Sequence, residues 1–196
     1  MEIIRSYTPV TMFKSSPDQS LVSRLLLLVK VYPDGALTPQ LGQLVPGGVV
    51  CVSDHTGVFS QAQIAECQHI YLLAAGTGCT PIFSLLHMLA QRTPPVPTKL
   101  LYFNKTRADI IWLDQLAEYQ ACQPWLSVVH VLSEEGEGWE GERGRVRKEL
   151  LVKYLEEAKD GYFSGVCGPK GFTEECDRLL KEEFLFKDEQ IHLFQG

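Results

Sequence analysis

Gly76-Thr77-Gly78-Cys79-Thr80-Pro81 directly follows the apolar run Ile70–Ala75. Glycine lets a backbone turn sharply and approach a ligand with no Cβ in the way, and the N–H groups at a helix start attract phosphate. The segment therefore has the chemistry of a phosphate-holding turn. A bare G-x-G serves a plain strand-to-helix turn equally well, and its spacing departs from the G-x-G-x-x-G of dinucleotide sites. A second small-residue turn, Cys167-Gly168-Pro169, follows the apolar run Tyr162–Val166 and again precedes a helical pattern. A third group lies near the start: Arg5, Tyr7 and Thr8, then Lys30 and Tyr32, then Gly35-Ala36-Leu37-Thr38. Arg5 offers a bidentate cation, Tyr7 a flat ring with a hydroxyl, and the Gly35 turn a set of backbone donors. Together they suit a planar anionic cofactor, although singly each reads as an ordinary turn or strand residue.

These residues need elements to hold them, and the chain changes texture near residue 68. Before that point Glu2–Thr8, Leu21–Tyr32 and Val49–Asp54 read as strands between Pro-, Gly-, Ser- and Asp-rich turns, the pattern of an antiparallel sheet. Afterwards the short apolar runs Ile70–Ala75, Leu100–Asn104, Leu126–Leu132 and Tyr162–Cys167 alternate with helical stretches, which predicts a parallel sheet covered on both faces. In such a sheet all strand ends point to one edge, so Gly76–Pro81 and Cys167–Pro169 are expected to flank one crevice. Thr80 is expected to cap a helix opening at Pro81, with Ile82, Leu85, Leu86 and Leu89 on its inner face. Thr106 and Asp109 form a T-x-x-D box, and Phe172, Cys176, Leu179 and Leu180 form another apolar stripe.

Composition narrows the function classes. The chain has 196 residues, 45% of them hydrophobic, enough for a packed core. A formal net charge of −6 disfavours nucleic acid and anionic membrane as partners. No apolar run reaches the ~20 residues of a transmembrane segment and no signal-peptide pattern opens the chain. A soluble cytoplasmic protein, at most peripheral at the endoplasmic reticulum, is the expectation. The six cysteines are scattered without C-x-x-C pairs, so neither a disulfide framework nor a metal site is indicated. G-x-S-x-G is absent and the five histidines lie apart, which leaves Ser/His/Asp catalysis without support.

In order, R-x-Y-T, K-V-Y, G-x-L-T, G-T-G-x-T-P and C-G-P resemble the NADH–cytochrome b5 reductase branch of the ferredoxin reductase-like flavoproteins. Leu73–Gly78, Phe103-Asn104-Lys105-Thr106 and Asp109-Ile110-Ile111-Trp112 are most similar to the type fused to a cytochrome b5 domain, and Phe194 stands near the end, where that family closes with phenylalanine. The resemblance implies an α/β protein: a partial antiparallel flavin-binding β-barrel over 1–66, then a parallel-sheet, Rossmann-like NAD(P)-binding domain over 67–196. It implies that Arg5, Tyr7, Thr8, Lys30, Tyr32, Gly35, Leu37, Thr38 and Thr80 contact FAD. It further implies that Gly76, Thr77, Gly78, Thr80, Cys167, Gly168 and Pro169 contact NAD(P)H, with Lys30 placed to meet the incoming nucleotide. The implied reaction is hydride transfer from nicotinamide to flavin, then electron transfer to a haem protein such as cytochrome b5, with no obligatory side-chain acid or base.

Two departures from that pattern matter. About 60 residues precede the nucleotide-binding part, fewer than a six-stranded barrel with strands of ~5–6 residues needs, so weak flavin retention is expected. A truncated module that binds nucleotide without reductase activity is the competing reading. Ser133 also stands where NADH-preferring members carry an acidic residue, and Arg145 where an aromatic is frequent. Both could receive a 2′-phosphate and admit NADPH, whereas Glu134 and Glu135 would favour NADH.

Overall fold

The computed structural model describes residues 3–10, 26–53, 57, 59–134, 136 and 138–194. Six strands form one sheet: β1 (His69–Ala75), β2 (Thr98–Asn104), β3 (Leu126–Leu132), β4 (Glu142–Arg143), β5 (Tyr162–Cys167) and β6 (Ile191–Leu193). Their order is β4-β3-β2-β1-β5-β6 and every pairing is parallel. The helices are α1 (Thr38–Gly42), α2 (Cys79–Leu89), α3 (Leu113–Cys122), α4 (Lys148–Leu151) and α5 (Lys170–Phe184).

The middle strands β1, β2 and β5 are largely apolar because both faces of the sheet are covered there. Along β1, Ile70, Leu72 and Ala74 join the core beneath α2 and α3, whereas Tyr71 and Leu73 join the core beneath α4 and α5. The stripe on α5 works the same way: Cys176, Leu179 and Leu180 are buried, and Phe172 packs at the margin. From β1 the chain steps outward through β2, β3 and β4, then returns to the other side of β1 as β5 and β6. Helices α2 and α5 therefore leave adjacent strands toward opposite faces. That reversal opens a crevice beyond the carboxyl ends of β1 and β5.

Local signals are realised with one correction. Thr106 and Asp109 form the expected capping box, the Asp109 carboxylate accepting from the Thr106 N–H at 3.2 Å and hydroxyl at 2.8 Å. Thr80 is not the cap of α2. A 3-10 turn at Gly76–Gly78 runs straight into the helix, so α2 begins at Cys79 and the Thr80 hydroxyl donates back to the Thr77 carbonyl at 3.2 Å.

Among the described residues, the antiparallel pairing expected of the first third is one bridge, Pro9 with Leu27, beside a Val10 N–H to Leu26 carbonyl bond of 2.8 Å. Alternating residues supply a strand's faces but not its neighbours, and a lone pair of segments makes few ladder bonds. Parts of the three expected strands, Glu2, Leu21–Arg24 with Leu25, and Asp54, lie outside the described residues.

This first part is seated on the sheet domain at several points. Val10 is fully buried in the core beneath α2, where Leu28 and Phe59 also pack, and burying such a side chain contributes about 1.5–3 kcal/mol. The Ser84 hydroxyl on α2 donates to the Pro9 carbonyl. Past the end of α2, the Arg92 guanidinium donates to the carbonyls of Ile64 (2.8 Å), Ala65 (2.8 Å) and Cys67 (3.3 Å), fixing the connector that leads into β1. Among the described residues no helix is long and apolar enough to cross a membrane.

Burial lowers the proton affinity of His69, His130 and His192 below the ordinary histidine value of 6.5, and the His130 Nδ1 has no hydrogen-bond partner among the described residues. The unfolded chain therefore binds more protons than the folded one once the pH drops below that value. Stability is fully present above it and is lost as pH falls toward the folded values. Melting temperature should decrease from about pH 7.5 to about pH 5.5, before the carboxylates titrate, and His130→Gln should shrink the decrease. Thermal melts at several pH values measure both effects.

Candidate functional site

A cleft of about 500 Å³ occupies the crevice past β1 and β5. One wall is the start of α2, with Thr77, Gly78, Thr80 and Pro81, together with Cys167, Gly168, Pro169 and Lys170 after β5. The opposite wall comes from the first part of the chain: Arg5, Tyr7 and Thr8, then Lys30 and Tyr32, then Gly35, Leu37 and Thr38. Segments far apart in sequence thus face one another across a single space.

The first wall depends on close backbone packing. A Cβ placed on Gly78 would lie 2.4 Å from the Cys167 carbonyl oxygen, so only glycine lets the two turns meet. Gly76 has φ +54°, a conformation that glycine adopts without steric cost. It sits behind the cleft, where its carbonyl accepts from the Tyr102 hydroxyl at 3.1 Å. Burial pushes the Cys79 thiol up to about 12 and the Cys167 thiol up to about 11. Neither is a thiolate at neutral pH, so this wall offers no thiolate nucleophile and its charge comes from the Lys170 ammonium.

The second wall closes on itself. The Thr38 hydroxyl accepts from the Tyr32 N–H at 2.9 Å and donates to the Tyr32 carbonyl at 3.3 Å, and the Gly35 N–H reaches the same carbonyl at 2.9 Å. Lys30 lies 5.8 Å from the centre of the Tyr32 ring, and its ammonium is 3.2 Å from Asp109 Oδ1. Hydrogen bonds from Thr106, then from Lys30, hold the Asp109 carboxyl below the usual carboxylate range. Arg5 is exposed at the rim, donating to the Ile4 carbonyl at 2.7 Å.

Charge distribution gives the cleft its character. Among the described residues its lining includes Arg5, Lys30 and Lys170 and no carboxylate, in a chain whose net charge is −6. Neither α2 nor α5 carries an acidic residue in its first turn, so both helix starts present their positive ends unneutralised. An elongated anion with flat rings fits this space: cations and helix starts meet phosphate, while Tyr7 and Tyr32 offer ring faces.

Sequence reasoning missed Lys170. A lysine at the first position of a helix opposes the macrodipole, and that unfavourable placement is the signal that could have flagged it. Ser133 and Arg145 stand apart from the cleft, both exposed. Parallel pairing of Leu132 with Arg143 nevertheless brings them to adjacent strand ends on the same sheet edge. Glu134 forms an exposed ion pair with Lys105 at 3.1 Å, and Glu135 lies outside the described residues.

Comparison with known proteins gives a consistent set of relatives. The family described as "Oxidoreductase NAD-binding domain" matches residues 72–178. Cytochrome b5 reductase 4 of Danio rerio is 36% identical over 200 residues, covering 100% of this chain and 38% of the relative. The Rattus norvegicus protein of the same name is 38% identical, covering 98% of this chain and 38% of the relative. The chain thus spans well under half the length of these curated relatives. Among solved structures, the CS-b5R domains of human Ncb5or in the NAD+ form superpose with a TM-score of 0.89 at 34% identity, covering 100% of this chain and 57% of that one. A ferredoxin NADP+ reductase from Neisseria gonorrhoeae, with bound FAD and NADP, shares the fold with a TM-score of 0.69 at 17% identity, covering 87% of this chain and 72% of that one.

The Gly78 contact is testable by substitution. Gly78→Ala forces the two turns apart and should destabilise the protein by about 1–3 kcal/mol in urea denaturation. Gly171→Ala, in the first turn of α5 with open space at its Cβ, should stabilise it by about 0.4–1 kcal/mol in the same measurement.

Proposed function

The chain belongs to the oxidoreductase NAD-binding domain family, and we propose that it is the reductase part of a cytochrome b5 reductase-type flavoprotein, using NAD(P)H and FAD to reduce a haem protein such as cytochrome b5 or a fused cytochrome b5 domain. The observation that carries this reading is the carboxylate-free cationic cleft at the β1–β5 switch point, walled by two glycine turns on one side and two tyrosines on the other. In this reading residues 1–66 are the flavin-side part and 67–196 the nucleotide-binding domain, in a cytoplasmic protein at most peripheral at the endoplasmic reticulum.

The residues present fit both groups. Arg5, Tyr7, Thr8 and the Gly35–Thr38 turn would hold the flavin, with Lys30 and Tyr32 beside it. The Gly76–Thr80 segment and Cys167–Pro169 would hold the nicotinamide end of the nucleotide, with Thr80 between the two groups. Hydride donation and single-electron release are the chemistry that nucleotide and flavin supply when bound. The chain's own contribution is positional. Close contact between Gly78 and Cys167 keeps side-chain bulk out of that wall, which would leave room for flat rings against it. The un-ionised Cys167 thiol adds no charge there, and the helix starts of α2 and α5 neutralise phosphate. Ser133 and Arg145 would receive the adenosine end and admit NADPH beside NADH.

A second reading, a nucleotide-binding module without reductase activity, is favoured by the surface of the first part. Val49 and Val52 are 87% and 75% exposed, and among the described residues that part holds one isolated antiparallel bridge, Pro9 with Leu27. Apolar residues in that position offer a flavin little enclosure.

The two readings separate in a ferricyanide assay. Purified protein supplied with excess FAD should reduce ferricyanide with NADH, while retaining less than one FAD per chain without the supplement. NADH binding with no turnover at any FAD concentration would favour the second reading; failure to bind NADH would exclude both. For nucleotide choice, Arg145→Ala should lower kcat/KM for NADPH by about tenfold and for NADH by less than about twofold, as expected for one lost charge-assisted contact. Equal losses would remove Arg145 from that role.

A further inference from the structure

We propose that Asp109 is a positioning residue for nucleotide binding: anchored by its capping box, it holds the Lys30 ammonium against the cleft so that the remaining N–H donors of Lys30 meet the incoming nucleotide. The proposal rests on the reading of the cleft as a nucleotide site and adds a residue outside its lining.

Three observations carry it. Asp109 divides its oxygens between two tasks. Oδ2 accepts from the Thr106 N–H at 3.2 Å and hydroxyl at 2.8 Å, which fixes the carboxylate on a short 3-10 turn after β2. Oδ1 faces Lys30, 3.2 Å away, across the boundary between the two parts of the chain. The second observation is the length of the lysine stem: an unanchored ammonium samples many rotamers, and ordering it on ligand binding costs affinity. Lys30 is 43% exposed yet lines the cleft, so its carboxylate partner confines an otherwise mobile group. The third is donor arithmetic. An ammonium carries three N–H groups, and one of them is used by Asp109.

Asp109 is not among the lining residues and meets the cleft through its bond to Lys30, so its effect must pass through that side chain. That makes the dependence measurable as coupling. Asp109→Asn keeps an oxygen for Thr106 and removes the charge that holds Lys30. Asp109→Glu keeps both a carboxylate for Lys30 and an acceptor compatible with the box.

NADH binding is titrated by its fluorescence on the full chain, with thermal melts confirming that each variant is folded. Asp109→Asn should weaken NADH binding by about fivefold, the scale of a partly exposed ion pair. Asp109→Glu should stay within about twofold of the wild type. In a Lys30→Ala background, Asp109→Asn should cause no further loss. Equal losses in both backgrounds would mean that Asp109 acts by holding its loop rather than through Lys30, and would overturn the proposal. An Asp109→Asn variant that binds like wild type would also overturn it, leaving the nucleotide reading intact. A wild-type chain that does not bind NADH at all would overturn both together.

Discussion

No side chain fits between Gly78 and Cys167, and the geometry of the cleft follows from that contact. Gly78 ends the 3-10 turn after β1 and Cys167 is the last residue of β5, and the two strands are neighbours only because the chain reverses its direction of travel across the sheet. The apolar burial on both faces of β1 and β5 supplies the rigidity that makes so tight a contact sustainable.

Much of this was legible in the sequence, for physical reasons that differ by region. Strands β1, β2 and β5 are buried along most of their length, and their largely apolar runs, like that of the less buried β3, stand out against the polar loops between them. Strands β4 and β6 have two and three residues, too few for any periodic signal, and β4 lies inside a charged stretch. The position of Thr80 was misjudged because a proline suggests a helix start, whereas a preceding 3-10 turn can extend the helix backward through Cys79.

The cleft was legible to a different degree. Its small residues were visible because glycine and proline are conspicuous, and its first wall because strand ends in a parallel sheet share an edge. Lys170 escaped notice as one lysine among many. The pairing of Lys30 with Asp109 joins positions 79 residues apart, and no spacing rule connects them. In the first part of the chain, which segments pair is decided by neighbours that a local pattern does not specify.

The connector before β1 adds a mechanical constraint. With three of its carbonyls gripped by Arg92 at the end of α2, it is a bracket and not a swivel. A molecule entering the cleft therefore meets walls whose spacing is set in advance. Accommodation falls to individual side chains at the rim, so discrimination between ligands should depend on reach and charge rather than on domain closure.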